Sequence, residues 1–286
     1  MSMINRLTIF IALMIFSFLN SFHLFADYIT RSSNSSINWS KGYITAEGNS
    51  SIKIGEKGNP YNKYKKNLIS INRARIDSYL EAREGAIVKI IEVIKSLRID
   101  SDTTLNSLII DNKFTQKRLF EVLSNSLKIK EYPIDFYSSK CKVKIRISDI
   151  ITSIPYNFPS HDFPVKDDTT LQTYYSSLII DGRDSNIIPM LFPSIYNEDG
   201  LEIYGRIYVD NKYLSKNGMV SYCYTSEEAL VNKRAGEYPY FTVSIKEIKG
   251  CPVLSENDTR KILSCKKTIE NLKKCKVIII LNKNKG

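Results

Sequence analysis

The chain has 286 residues, of which 43% are hydrophobic and 25% charged, and its formal net charge at pH 7 is +11. This length suffices for one large domain or two ordinary ones, and the lack of an internal repeat or heptad pattern excludes a solenoid or a coiled coil. This excess of lysine and arginine over aspartate and glutamate favours an anionic partner, such as nucleic acid, anionic lipid or an anionic wall polymer.

Residues 1–26 have the pattern of a secretory signal peptide. Arg6 is the only charge before Asp27, and the apolar run at residues 7–19 is shorter than the about 20 residues of a membrane-spanning helix. Cleavage after Ala26 would release a periplasmic or envelope protein, and the alternative is an uncleaved membrane anchor. No cysteine lies near this position, so a lipoprotein is not predicted. Export also argues against nucleic acid as a partner.

A strand at residues 42–48 and two helices are predicted next. The first helix spans residues 72–97, because its apolar residues recur in steps of three, four and seven. These residues are Ile76, Leu80, Ile87, Ile90, Ile91, Ile94 and Leu97. The second helix begins after Asn112, a good N-cap, and carries a stripe of Leu119, Val122, Leu123 and Leu127. Both stripes are predicted to face the core.

Two strands complete the first predicted unit. Tyr132, Ile134 and Phe136 alternate with Pro133 and Asp135, which favours an edge strand, and the serines at 138–139 are predicted to turn the chain. In the following strand, apolar residues alternate strictly with four cations, which period two places on one face. The cations are Lys140, Lys142, Lys144 and Arg146. This face is either an ordinary solvated sheet face or a stripe that contacts anionic lipid headgroups or wall polymer.

Residues 174–205 organise the second half of the chain. The apolar run at residues 178–180 meets a turn at Asp181 and Gly182, as a buried strand would. Asp199 and Gly200 between apolar residues predict a hairpin. Residues 206–209 are predicted to extend its second strand.

The remaining pattern predicts a mixed sheet under two or three helices. Strands are predicted at residues 219–224 and 240–248, and Thr225 with Glu228 forms a capping box for a helix. Another helix is predicted to start at Ser255, and residues 277–281 form a strand buried on both faces. The predicted architecture is therefore α+β with two domains, at residues 39–150 and 169–282, joined by a proline-containing linker at residues 153–168.

Residues that could carry chemistry are few. Asp181, Arg183 and Asp184 could form an acid–base group, but salt-bridged turn residues are the commoner meaning, and no nucleophile or histidine accompanies them. His161 lies beside an aspartate in the linker, where a surface role is expected.

No cofactor or metal is predicted, because no C-x-x-C pair or glycine-rich phosphate loop is present. Of the five cysteines, Cys251, Cys265 and Cys275 crowd the end of the chain. Either a disulfide joins two of these three, or all are buried free thiols.

The first predicted domain resembles the Lpp-twenty lipoprotein family, which includes bacterial flagellar outer-membrane disc lipoproteins. The resemblance lies in Trp-Ser-Lys-Gly-Tyr at residues 39–43, in Ala-Arg-Ile-Asp-Ser-Tyr at residues 74–79, and in the later helix and hairpin. It covers roughly residues 39–150, and the chain departs from the family in lacking the lipid-bearing cysteine. The residues from Leu178 to Gly205, including Arg183 and Tyr204, are similar to a second module of uncharacterised envelope proteins.

The resemblance implies a structural or assembly role, in or near the periplasmic part of a flagellum, rather than catalysis. Its partners would be envelope proteins, including motor components, or further copies of the chain. The alternative is a soluble periplasmic module that binds wall polymer or lipid through the Lys140–Arg146 stripe. An unrecognised hydrolase ranks third.

Overall fold

The computed structural model describes residues 27–55, 58–62, 67–154, 161–164 and 173–282. The predicted signal peptide and most of the predicted linker, with Pro155 and Pro159, lie outside these ranges. The fold is α+β, as predicted, with an antiparallel sheet in the N-terminal unit (residues 27–154) and mixed and parallel sheets in the C-terminal unit (residues 173–282).

The N-terminal unit is built on a five-stranded antiparallel sheet with the order β1-β2-β3-β7-β6. Its strands are β1 (Ile29–Ser32), β2 (Ser35–Asn38), β3 (Tyr43–Ser51), β6 (Lys128–Pro133) and β7 (Ser138–Arg146). A small ladder of β4 (Tyr61–Asn62) and β5 (Asn67–Leu68) stands apart. Strand β6 forms an edge of the sheet, as predicted, but it starts earlier than the alternation indicated.

The turn between β6 and β7 lies before the two serines, not at them. Asp135 accepts hydrogen bonds from the amides of Tyr137 and Ser138, which closes the turn and leaves Ile134 and Phe136 exposed outside the strand. Ser138 and Ser139 already pair with β3. The prediction was wrong here because an aspartate turn outcompetes the weaker serine signal.

The long helix α1 (Ile71–Ser96) packs on one face of the sheet through small side chains. Its buried residues recur in steps of four and are Ala74, Ser78, Ala82, Ala86, Ile90 and Ile94. The predicted stripe was correct only in its second half, since Ile76 and Leu80 are 52% and 53% exposed. The reason is close contact with β3, where a Cβ on Gly48 would lie 2.0 Å from the carbonyl oxygen of Ala82.

Three shorter helices complete the N-terminal unit. They are α2 (Leu105–Asp111), α3 (Lys113–Ser126) and α4 (Ile147–Ser153). Neither α2 nor α4 was predicted from the sequence pattern. Asn112 caps α3 as predicted, accepting from the amides of Phe114 and Thr115. Leu119 of α3 is buried, and Val122, Leu123 and Leu127 pack against the core beside it.

The C-terminal unit contains two four-stranded sheets. The first is wholly parallel, in the order β11 (Ser221–Cys223), β15 (Val277–Ile280), β8 (Ser177–Asp181), β12 (Pro239–Val243). The second has the order β10 (Glu202–Tyr204), β9 (Ile195–Asn197), β14 (Cys251–Leu254), β13 (Lys246–Ile248). As predicted, β15 is fully buried and β9 and β10 form a hairpin, with Gly200 at a φ of +80°.

The C-terminal helices are α5 (Asn211–Asn217), α6 (Ser226–Val231), α7 (Glu256–Leu263) and α8 (Lys266–Lys273). The capping box of Thr225 and Glu228 and the start of α7 at Ser255 are confirmed. Two strand predictions were wrong. Residues 206–208 form a 3-10 turn, and residues 240–248 divide into β12 and β13, which belong to different sheets.

A continuous core joins the two units. Tyr28 and Trp39 of the N-terminal unit pack against Tyr222, and the ring centroid of Tyr28 lies 4.6 Å from that of Tyr224. The Ser40 hydroxyl donates to the carbonyl of Tyr222 at 2.9 Å. Two backbone hydrogen bonds, from the amides of residues 191 and 192 to the carbonyls of residues 98 and 99, add to this contact.

Candidate functional site

The predicted cation stripe lies on the face of the sheet opposite α1. On β7, Cys141, Val143 and Ile145 are buried toward the helix, so the intervening cations point outward. The alternation was therefore interpreted correctly, except that Ile147, the last apolar residue of the pattern, begins α4 rather than continuing the strand.

Each cation of β7 has a neighbouring partner. The ammonium groups of Lys140 and Lys142 lie 2.5 and 3.1 Å from Glu47 of β3, and they hold the pKa of that carboxyl below its ordinary value. The Nζ of Lys144 lies 3.6 Å from the ring centroid of Tyr43. Arg146 binds both carboxylate oxygens of Asp149, at 3.0 and 2.8 Å.

Strand β6 adds two lysines that the sequence analysis did not single out. Lys128 lies opposite Lys144, and Lys130 lies opposite Lys142, so like charges face each other across the ladder. Neither Lys128 nor Lys130 is in an ion pair in the described part of the chain. Directly opposed like charges destabilise a sheet, a cost that a bound anion would relieve, although lysines on an edge strand also discourage edge-to-edge pairing.

Together these side chains form what we call the cation face. It consists of Lys128, Lys130, Lys140, Lys142, Lys144 and Arg146. Glu47 and Asp149 are the carboxylates in contact with it among the described residues. The surface therefore keeps a net positive charge after its internal pairs are formed.

At one end the cation face runs into a cleft between the two units, with a volume of about 1390 Å³. Buried side chains of Met190, Leu191 and Met219 contribute to its walls, with the half-buried Trp39 beside them. From the N-terminal unit it is lined by the cations Lys41, Lys128, Lys144 and Arg146. From the C-terminal unit it is lined by Lys216, Lys233, Arg234, Lys274 and Lys276.

Among the described residues, two carboxylates line the cleft, and both are paired. Asp27 lies 2.6 Å from the ammonium of Lys41, and Asp149 is held by Arg146. The lysines of the C-terminal unit that line the cleft are in no ion pair among the described residues. The excess of positive charge is therefore concentrated on the C-terminal wall.

Arg234 is a half-buried cation of that wall. Its guanidinium donates to the carbonyls of Gly218 and Cys275, at 3.2 and 2.8 Å, and to the carbonyl of Asn217. All three partners are neutral, and burial lowers the pKa of the guanidinium from its ordinary value. Arginine remains charged in proteins, so these neutral acceptors leave its charge unbalanced.

The predicted acid–base group is an ion pair within a turn. Asp181 ends β8 and accepts from the Nε and Nη2 of Arg183 at 2.9 and 2.5 Å, and the pKa of Asp181 is lowered as a result. Between them, Gly182 packs closely, since a Cβ there would lie 2.4 Å from Ile187. The two side chains therefore bind each other and stabilise the turn after β8.

The other motif positions are also structural. Asp199 and Gly200 form the hairpin turn, and the Tyr204 hydroxyl, fully buried, donates to the carbonyl of Met219 at 2.9 Å. Gly205 leaves room for Glu202, whose carboxylate would collide with a Cβ at that position.

Of the two alternatives for Cys251, Cys265 and Cys275, a disulfide or free thiols, the structure has free thiols. All five cysteines are free thiols, and Cys265 alone is not fully buried. The three lie in separate surroundings: Cys251 Sγ is 3.8 Å from Met190 Sδ, Cys265 precedes α8, and Cys275 lies beside Arg234. These three thiols are therefore unpaired, although they are close in sequence.

A second polar cluster centres on Asp258. Its carboxylate accepts hydrogen bonds from the hydroxyls of Tyr240, Thr242 and Ser255, at 2.5, 2.7 and 2.8 Å. Burial acts to raise the pKa of Asp258, but the three donors outweigh it, and the pKa lies below its ordinary value. The cluster ties β12 to the start of α7.

Two negative findings apply to the described residues. They contain no group of three or more His, Cys, Asp or Glu side chains placed to hold a metal ion. None of their helices has both the length and the apolar character needed to cross a bilayer. His161 is exposed, and its amide donates to the carbonyl of Ile207.

The C-terminal unit is similar in sequence to a known protein family. Residues 177–283 match a family model described as Treponema pallidum Tp0624, second domain. The match begins at the first residue of β8 and runs past the end of β15, so it takes in both C-terminal sheets. No curated protein matches the chain.

Proposed function

We propose that this chain is an exported envelope protein that acts by binding, and that its cation face engages an anionic wall polymer or an anionic lipid surface. The observation that carries the proposal is the arrangement of six cations on one face of the sheet, opposite α1. Opposed lysines on β6 and β7 leave that face with unbalanced charge. Clustered cations attract a polyanion over distances of about 10 Å at moderate salt.

The experiment is a sedimentation assay with the protein lacking residues 1–26. The two sources of negative charge are tested separately, as purified anionic wall polymer and as phosphatidylglycerol vesicles, with phosphatidylcholine vesicles as the uncharged reference. Lys130→Gln with Lys142→Gln removes two charges and leaves Glu47 paired with Lys140. Each lysine near an anionic surface contributes about 1 kcal/mol, so we expect roughly 30-fold weaker binding.

The matched control is Lys117→Gln with Lys212→Gln. Both lysines are exposed, belong neither to the cation face nor to the lining of the cleft, and carry the same charge. An equal loss in the two double variants would show that only net charge matters. Binding of the unmodified protein to neither anionic material would also overturn the proposal.

A second candidate function is assembly, including association with the periplasmic flagellar motor. It is favoured by large apolar side chains exposed on α2 and α3, where Ile110, Phe114 and Phe120 are 71%, 59% and 70% exposed. We expect that deleting the gene alters swimming or the imaged motor without blocking growth. We also expect Phe114→Ser with Phe120→Ser to abolish capture of motor components or self-association. Unchanged motility and motor images would remove this candidate.

A further inference from the structure

We infer that the cleft between the two units is a separate binding site for a small ligand that carries two or more phosphate groups, with Arg234 and its neighbouring lysines as the anchor. This goes beyond the proposed function, because it concerns a concave site on the C-terminal wall rather than the open sheet face. The cation face touches the cleft only at Lys128, Lys144 and Arg146.

The backbone around Arg234 builds the anchor. Cys275 adopts a φ of +59° in the turn between α8 and β15, and its carbonyl accepts from the Arg234 guanidinium at 2.8 Å. Lys274 and Lys276 flank Cys275 in the chain, so this hydrogen bond brings their backbones next to the guanidinium. A left-handed conformation is uncommon for a residue with a Cβ and persists only where the surrounding structure holds it.

Charge identifies the class of ligand. Each of the two carboxylates in the lining forms an ion pair with its own cation. The Arg234 guanidinium donates to neutral carbonyl groups, which cannot balance its positive charge. The lysines beside Arg234 can bind phosphate oxygens through charge-assisted hydrogen bonds, and Arg234 contributes its unbalanced positive charge. Five cations on one wall exceed what a single carboxylate could balance, which favours several phosphate groups on one molecule.

Size and lining agree with this class. Pockets for small molecules typically measure about 300–1,000 Å³, so a cleft of 1390 Å³ has room for an extended ligand. The half-buried Trp39 offers apolar surface for its uncharged part, while the phosphates would face the lysines.

The sole tryptophan supplies the measurement. Trp39 lines the cleft, and its ring lies 5.6 Å from that of Tyr222 at a steep angle. Inorganic tripolyphosphate is titrated into the protein while Trp39 fluorescence is followed, and calorimetry provides a second measure that does not depend on the indole. We expect saturable binding, with orthophosphate at least tenfold weaker because it can occupy only one phosphate position.

The decisive variant is Lys274→Gln with Lys276→Gln. Loss of two charge-assisted contacts is expected to weaken tripolyphosphate binding by about tenfold or more. The control pair Lys117→Gln with Lys212→Gln carries the same change in charge and should alter the affinity less than about threefold. Equal weakening by both pairs, or no saturable signal by either method, would overturn the inference.

The two proposals can be tested independently of each other. Lys130→Gln with Lys142→Gln should weaken binding to anionic polymer or vesicles while keeping tripolyphosphate binding. Lys274→Gln with Lys276→Gln should show the reverse pattern. If tripolyphosphate binding is lost in the sheet variant and kept in the cleft variant, the phosphate ligand belongs to the cation face and the cleft is not a site.

Discussion

Single residues divide into those whose role is visible locally and those whose role depends on distant partners. The alternation around Lys142 reveals its face because period two is a local property of a strand. Arg234 gave no such signal, since its partners Asn217, Gly218 and Cys275 are far away in sequence. The candidate cleft could not be predicted for the same reason, because its walls come from both units.

The Asp258 cluster makes a prediction about pH at the residue scale. Its pKa is lower in the folded protein than its ordinary value of 3.8, so the carboxylate contributes stability above that value and loses it as pH falls through the folded pKa. Asp258→Asn should cost about 1–3 kcal/mol at pH 7 through weaker hydrogen bonds to the three hydroxyls. The difference between the variant and the wild type should shrink as the pH falls from about 5 to 2.

Urea unfolding at several pH values measures this difference. Asp111→Asn, at the exposed end of α2, serves as the control and should leave the free energy of unfolding nearly unchanged at pH 7. A cost for Asp258→Asn that stays constant over the whole pH range would contradict the assigned role of the carboxylate.

The sequence predicted where the long helix lies in the chain better than it predicted which face of that helix is buried. Periodicity located α1 to within a residue, yet the first half of its apolar stripe points to solvent, with Ile76 and Leu80 exposed. The contact instead uses a ladder of small residues such as Ala82 and Ala86, which lets the helix approach the sheet. The small residues recur every four positions in the sequence. A prediction from hydrophobicity alone ranks them below isoleucine and leucine as core residues.

Two glycines test this close approach at the scale of elements. A Cβ at Gly48 would lie 2.0 Å from the Ala82 carbonyl oxygen and 2.5 Å from the Ala86 amide nitrogen, both backbone atoms. Gly48→Ala should therefore destabilise the protein by about 1–3 kcal/mol or more. Gly85→Ala is the matched control, because a Cβ there meets nothing within 4 Å and alanine favours the helix by about 0.5–1 kcal/mol.

Urea unfolding of the two alanine variants gives the comparison directly. The expected shifts have opposite signs although the substitution is the same. Destabilisation by both, or by neither, would show that the spacing between α1 and β3 does not depend on Gly48.

For the whole molecule, the two units predicted from the sequence share one core. Tyr28, Trp39 and Tyr222 meet across the boundary, and the buried Tyr222 hydroxyl both accepts from the amide and donates to the carbonyl of Met190, at 3.1 Å each. Independent domains usually meet through smaller and more polar surfaces. The pattern of elements along the chain could not show this contact, because aromatic side chains at the boundary resemble ordinary core residues.

Such a shared core predicts one cooperative unfolding transition. Trp39 fluorescence reports on the boundary, and far-ultraviolet circular dichroism reports on the helices and strands of both units, so their urea midpoints should coincide. Tyr28→Ala should lower that common midpoint by removing an aromatic ring that is 1% exposed and packs on Tyr222 and Tyr224, at a cost of about 3–5 kcal/mol. Tyr238→Ala, which removes a ring that is 63% exposed, is the control and should leave the midpoint nearly unchanged. Two separate transitions in the wild-type protein would show that the units fold independently, and the cleft between them would then lack the fixed geometry that a phosphate site requires.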